Sequence, residues 1–183
     1  MLIELFDREL VETQEAVGMK VIGQFRDLDD PDQFVWIRGF PDMESRAQSL
    51  AAFYGGPVWK VHRNAANATM IDSDNVLLLR PARPESAFVL NGGRGSRGGF
   101  VLAVVMPLEL ASSVDEDGST VASFVTEESE NTFPSLPVRE GERVFVWFAG
   151  FADRDGLDRA AEPYADHADV LRLEPTPRSL LGA

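Results

Sequence analysis

The sequence predicts an α+β fold made of two similar halves, and three observations carry that prediction. The stretch FVWIRGFPD (34–42) recurs as FVWFAGFAD (145–153), with six of nine positions kept at a spacing of 111 residues. Around each copy, β-rich segments lead into a helical pattern and then into a further strand. Between the copies, RPARPESAFVLNGGRGSRGGF (80–100) concentrates Pro, Gly, Arg and Ser, the composition of a linker. The chain therefore divides into a first repeat over 1–83, a linker over 84–99 and a second, degenerate repeat over 100–183.

The first element is helical. Leu2, Leu5, Phe6, Leu10, Val11 and Val17 recur near helical spacing, so the first 17 residues read as one amphipathic helix stopped at Gly18. MKVIGQFRDL (19–28) and QFVWIRGF (33–40) are β-rich, and the DDPD between them is hairpin-turn chemistry. Asp42 is a good N-cap for MESRAQSLAAFYGG, which Gly55 and Gly56 close. Pro57 suits the first turn of a third helix reaching Asn67. A strand at 75–81 completes the first half. The second half reads as strands at 100–106, 120–126 and 143–151, a helix capped by Asp153 and reaching Tyr164, and a strand at 168–175. Phe53 and Tyr164 keep the 111-residue offset, but GGPVWKVHRNAANATMIDS has no counterpart in the second copy.

Repeated β-α-β-β-α-β units imply tandem ferredoxin-like halves, each a four-stranded antiparallel sheet with helices on one face. Packing the bare faces sheet to sheet, as an α+β barrel, would place the two FVW strands in facing sheets. The chain opens in the first helix, so the first strand of the first repeat is expected to be absent. That predicts an N-terminal truncation, or a sheet that borrows a strand by oligomerising.

Composition narrows the function classes. Seventeen Lys and Arg against thirty Asp and Glu give a net charge of −13, which repels nucleic-acid phosphates and anionic membranes. The absence of cysteine excludes disulfides, thiolate nucleophiles and thiolate metal sites. FVLAVVMPL (100–108) is far shorter than the roughly 20 residues of a membrane helix, and MLIELFDREL lacks the basic start of a signal peptide. A cytoplasmic protein with no nucleic-acid or membrane partner is expected.

FVWIRGFPDMESRAQSLAAFYGGPVW, with ETQEAVGMKVIGQFRD before it, resembles the NIPSNAP family of the dimeric α+β barrel superfamily. NTFPSLPVREGERVFVWFAGFAD looks like the degenerate partner repeat of its tandem members. The resemblance implies a barrel, often a homo-oligomer, and no catalytic signature. Related barrels include cofactor-independent monooxygenases, small isomerases and haem enzymes.

Strand alternation puts Phe34, Trp36, Arg38 and Phe40 on one face. Arg38 among aromatics could hold a carboxylate or enolate, or could pair with Asp27 or Asp29. Trp59, His62, Arg63, Ala66 and Met70 fall near one helical face, with Asn67 beside them. His62 could be a general base, an axial haem ligand, or a surface histidine held by a carboxylate or backbone group. No metal site is expected: the two histidines, His62 and His167, lie far apart, and SVDEDGS (113–119) lacks calcium-loop spacing. Gly93 to Gly98 matches G-x-G-x-x-G, but a strand rather than a helix comes next, so a linker reading is preferred to a phosphate loop. The expectation is a small hydrophobic or aromatic ligand in the first repeat, contacted by Trp36, Tyr54, Trp59 and Asn67, with no cofactor. As an enzyme, the protein would be a cofactor-independent monooxygenase or isomerase using Arg38 and His62. As a structural or interaction module, it would have a filled interior.

Overall fold

The computed structural model describes residues 2–70, 74–90, 94, 98–113 and 120–182. Seven strands, β1 (Lys20–Asp27), β2 (Phe34–Gly39), β3 (Leu79–Pro81), β4 (Phe100–Pro107), β5 (Thr120–Thr126), β6 (Val144–Phe151) and β7 (Asp169–Pro175), form one antiparallel series in the order β2-β1-β7-β4-β6-β5-β3. The sequence predicts two half-sheets, yet both FVW strands belong to this one series, with β1, β7 and β4 between them. The physical reason is edge satisfaction: an unpaired strand edge exposes a row of N–H and C=O groups. β7 takes β1 on one side and β4 on the other, and β5 takes β6 and β3.

The helices are α1 (Leu2–Leu5), α2 (Val11–Glu15), α3 (Met43–Gly55), α4 (Pro57–Asn67) and α5 (Arg154–Ala161). A π-helical turn, Phe6–Leu10, joins α1 to α2, so the expected single N-terminal helix is interrupted and ends two residues early. The caps are as the sequence predicts: Asp42 Oδ1 accepts from Ser45 N at 2.7 Å, and Asp153 Oδ1 from Gly156 N at 2.8 Å. The expected strand at 75–81 is a strand only from Leu79, because the backbone carbonyl of Val76 is taken by the loop amide of Arg139. A 3-10 helix, Leu108–Ser113, follows β4 and ends at the first residue of SVDEDGS. The rest of SVDEDGS lies outside the described residues.

Contacts divide the chain into two compact units, one of residues 1–22, 36–77 and 128–139, the other of 23–35, 78–127 and 140–183. Residues 23–35 and 78–83 thus fall in the latter unit. In the latter unit, Leu102, Val104 and Met106 of β4 stand opposite Ala149, Trp147 and Phe145 of β6. Leu157 and Ala161 of α5 complete that buried cluster. On the other face of β6 and on its neighbour β5, Phe88 packs against Phe148 and Phe124, each at 5.0 Å between centroids. Phe88 belongs to the expected linker, which is thus fastened: Ser86 O accepts from Ser123 N at 2.9 Å, and Arg94 donates to the Arg178 carbonyl. Gly93, Gly95, Ser96 and Arg97 of the glycine motif lie outside the described residues, and the next element along the chain is β4, not a helix.

Asp29 forms the hub of an ion-pair network in this unit, accepting from Arg172 at 2.8 Å and facing Arg154 at 3.5 Å. Asp27, 5% exposed, turns its carboxylate onto the backbone N–H of Asp29 at 2.8 Å, which closes the predicted turn.

Leu157 is fully buried against β4 and β6. Leu157→Ala is expected to lower unfolding stability by about 2–5 kcal/mol. A urea titration checks this, with Val121→Ser, at a 42% exposed site, as a control that should change stability by less than about 0.5 kcal/mol.

Candidate functional site

The candidate residues all fall in the unit of residues 1–22, 36–77 and 128–139. β2 presents Trp36 and Arg38 on one face, as alternation requires. Trp36 lies 5.8 Å from Phe6 of the π turn, and Arg38 Nη1 donates to Gln14 Oε1 at 3.3 Å. The Arg38 guanidinium also sits 5.9 Å from the Trp36 ring, within cation–π range. Its partners are thus a neutral amide and an aromatic ring. The expected ion pair with Asp27 or Asp29 is not made, since the first is occupied by turn amides and the second by arginines of its own unit.

α3 supplies the centre of the site. Arg46, Ser49, Leu50 and Phe53 recur at i, i+3, i+4 and i+7, and all four are buried. An arginine therefore stands on the apolar stripe of a helix, 3% exposed. Its Nη1 donates to Asn131 Oδ1 at 3.0 Å and to Thr132 Oγ1 at 3.3 Å. The loop that brings these acceptors is itself tied down: Thr132 Oγ1 donates to the Met43 carbonyl at 2.9 Å, and Asn131 Nδ2 to the Leu136 carbonyl at 2.9 Å. Burial first, and then the positive charge of Arg38, push the Arg46 pKa below the usual guanidinium value, while Tyr54 acts in the opposite sense. The group remains charged at any physiological pH.

Around it lies an aromatic cluster. Tyr54 meets Trp59 edge-on at 4.9 Å and Phe53 at 5.1 Å, and stacks on Phe133 at 5.8 Å with an interplanar angle of 16°. Phe53 is buried, whereas Tyr54, Trp59 and Phe133 are half-buried. The sequence points to Tyr54 and Trp59; Phe133 and Arg46 it does not. The helical spacing of Arg46 with Leu50 and Phe53 is the signal that could have found the latter.

The other two candidates stand apart from this group. His62 Nε2 lies 3.8 Å from Glu9 Oε2 in the π turn, a carboxylate-held surface histidine. The hydrogen bond from Arg8 holds Glu9 below its usual pKa range, with the charges of Arg8 and His62 acting the same way. Asn67 is exposed in the last turn of α4, where its carbonyl accepts from Met70 N at 3.2 Å. Ile71, Asp72 and Ser73 of the polar insertion lie outside the described residues. His167 is exposed, 5.9 Å from the Tyr164 ring.

Among the described residues, two concavities stand out. One, about 150 Å³, is lined by Phe88, Val89, Val101, Val121, Leu180 and Leu181, with Gly150 and Gly182 at its wall. The other, an open groove of about 410 Å³, runs along Gly18, Met19, Lys20, Gly39, Phe40 and Pro41. Neither is lined by Arg38 or His62. Among the described residues, no group of three or more His, Asp or Glu is placed to hold a metal ion, and no helix is long and apolar enough to cross a membrane. No family model, no curated protein and no solved structure matches the chain.

Asp42 starts the helix that carries Arg46, Phe53 and Tyr54. The amide hydrogen bond from Ser45 lowers its pKa, so the ionised cap adds stability above the ordinary aspartate range of about 4, lost as pH falls through its depressed folded-state value. Asp42→Ala is expected to lower the melting temperature at pH 7, with the gap from wild type narrowing in a pH series carried below that range. A gap that stays constant at acid pH would contradict an ionised cap.

Proposed function

We propose that the chain is a NIPSNAP-like protein of tandem ferredoxin-like architecture whose first half binds a small aromatic or hydrophobic molecule. Strand order supports the architecture. β4, β5, β6 and β7 lie in the order β7-β4-β6-β5, fourth-first-third-second within the half, with α5 between the third and fourth strands. This order is what a ferredoxin-like unit with its split β-α-β arrangement would have, and it supports the reading. β1, β2 and β3 take the places of second, third and fourth strands of the other half, and its first strand has no counterpart among the described residues.

The observation that carries the binding proposal is the cluster of Tyr54, Trp59 and Phe133. Three aromatic rings held half-exposed by α3, α4 and a hydrogen-bonded loop form a rigid apolar contact surface with polar groups beside it. An interaction module with no small ligand is the second reading, and it draws on the fact that neither concavity is lined by Arg38 or His62. The enzyme reading, with Arg38 stabilising an enolate and His62 as base, has less support, because His62 is engaged with Glu9 and Arg38 with Gln14.

Thermal-shift titration with neutral aromatics such as benzyl alcohol and 1-naphthol tests the binding proposal. Stabilisation is expected for wild type and for Trp147→Phe, and is expected to be lost in Tyr54→Ala and Trp59→Ala. Stabilisation that survives both first-half changes would place the ligand elsewhere.

A further inference from the structure

Arg38 and Arg46 pose a problem that the aromatic cluster alone does not answer. A buried guanidinium is ordinarily answered by a carboxylate, because taking an ion out of water is costly unless an opposite charge and hydrogen bonds replace the solvent. This chain carries thirty carboxylate side chains. Among the described residues, none lies within ion-pair distance of Arg38 or Arg46, whereas Arg154 and Arg172 share Asp29 and Asp158. Arg46 has two neutral oxygens, Asn131 Oδ1 and Thr132 Oγ1, and Arg38 has one, Gln14 Oε1. Two like charges near enough to act on each other make the deficit larger.

The geometry of the existing bonds shows what is left over. In both residues it is Nη1 that donates to the protein. Nε and Nη2, the edge of the guanidinium whose parallel N–H groups match the two oxygens of a carboxylate, donate to no protein group among the described residues. Nor are these nitrogens among the buried side-chain atoms left without a partner, so they are not sealed from solvent. Gln14 and Asn131 are themselves fixed, Gln14 Nε2 to the Leu10 carbonyl at 2.8 Å and Asn131 Nδ2 to that of Leu136 at 2.9 Å. The guanidinium groups are therefore pinned at one nitrogen each, with their pairing edges unused.

We infer that Arg46, aided by Arg38, forms an anion site for the carboxylate of a small aromatic acid whose ring lies on Tyr54, Trp59 and Phe133. The inference rests on the aromatic-binding reading above and adds the charge of the ligand. Arg46 makes the direct bidentate contact from its Nε and Nη2. Arg38 adds positive potential, and Asn131, Thr132 and Gln14 keep the two guanidinium planes oriented.

The test is isothermal titration calorimetry on the full chain with 3-phenylpropionate, its neutral isostere 3-phenylpropanamide, and inorganic phosphate. For wild type, the acid is expected to bind about tenfold or more tighter than the amide, as a charge-assisted pair should. Arg46→Gln should abolish that preference, so that the variant binds acid and amide alike. Arg38→Gln, at a half-buried position, should reduce it in part. Equal affinity for acid and amide would overturn the anion site and leave the aromatic reading standing. Binding of neither compound would overturn both. A preference that survives both substitutions would place the anion contact elsewhere and overturn the assignment. Phosphate binding that depends on Arg46, without acid binding, would overturn the aromatic-acid class.

Discussion

Backbone hydrogen bonding at the edges of strands is the constraint on which the rest of this structure depends. β4 and β6 are near-continuous apolar runs and β7 alternates, and the three could form a small sheet by themselves, but such a sheet would end in unpaired amides and carbonyls on both sides. The edge of β6 is paired by β5, and the outer edges of β7 and β5 are then paired by short stretches from the first half of the chain. Phe25, Arg26 and Asp27 lie opposite Pro175, Glu174 and Leu173, and Leu79 to Pro81 lie opposite Thr126 to Phe124. The repeated FVW segments are explained by this arrangement. β6 is buried on both faces and β2 is partly buried along its whole length, so aromatic and β-branched residues are favoured in each.

The two copies nevertheless differ in chemistry. Trp147 is 5% exposed and meets Tyr164 edge-on at 5.4 Å, a packing role. Its counterpart Trp36 is half-buried and lies beside Arg38, where the second copy has a fully buried Ala149. The stretch absent from the second copy includes α4, which brings Trp59 to Tyr54. Beyond the needs of a sheet, the first copy thus keeps a set of aromatic rings and guanidinium groups. These are residue types suited to holding an aromatic anion.

Local chemistry is legible in the sequence where a few neighbouring residues decide it. Asp42 and Asp153 cap their helices, Pro57 begins α4, and the aspartates of the 27–32 segment make a turn, all by contacts within four residues. The placement of Trp36 and Arg38 on one face comes from alternation alone. Other features depend on distant residues. The π turn at Phe6–Leu10 leaves no mark in the hydrophobic spacing, and the strand order requires pairings between residues about 150 apart in the chain. Arg46 shares helical spacing with Leu50 and Phe53, but an arginine beside Glu44 and Ser45 near the start of α3 is easily taken for a solvated residue. Only the loop at 131–133, more than 80 residues later, buries it and supplies its acceptors.

The two-sided pairing of β7 is the claim on which both the strand order and the tandem reading stand. Cross-strand nuclear Overhauser contacts on the full chain test it most directly. The account predicts, in one sample, contacts between Arg26 and Glu174 together with contacts between Leu102 and Arg172. Contacts from β7 to β4 alone, with none from β7 to β1, would break the series into two sheets and contradict it.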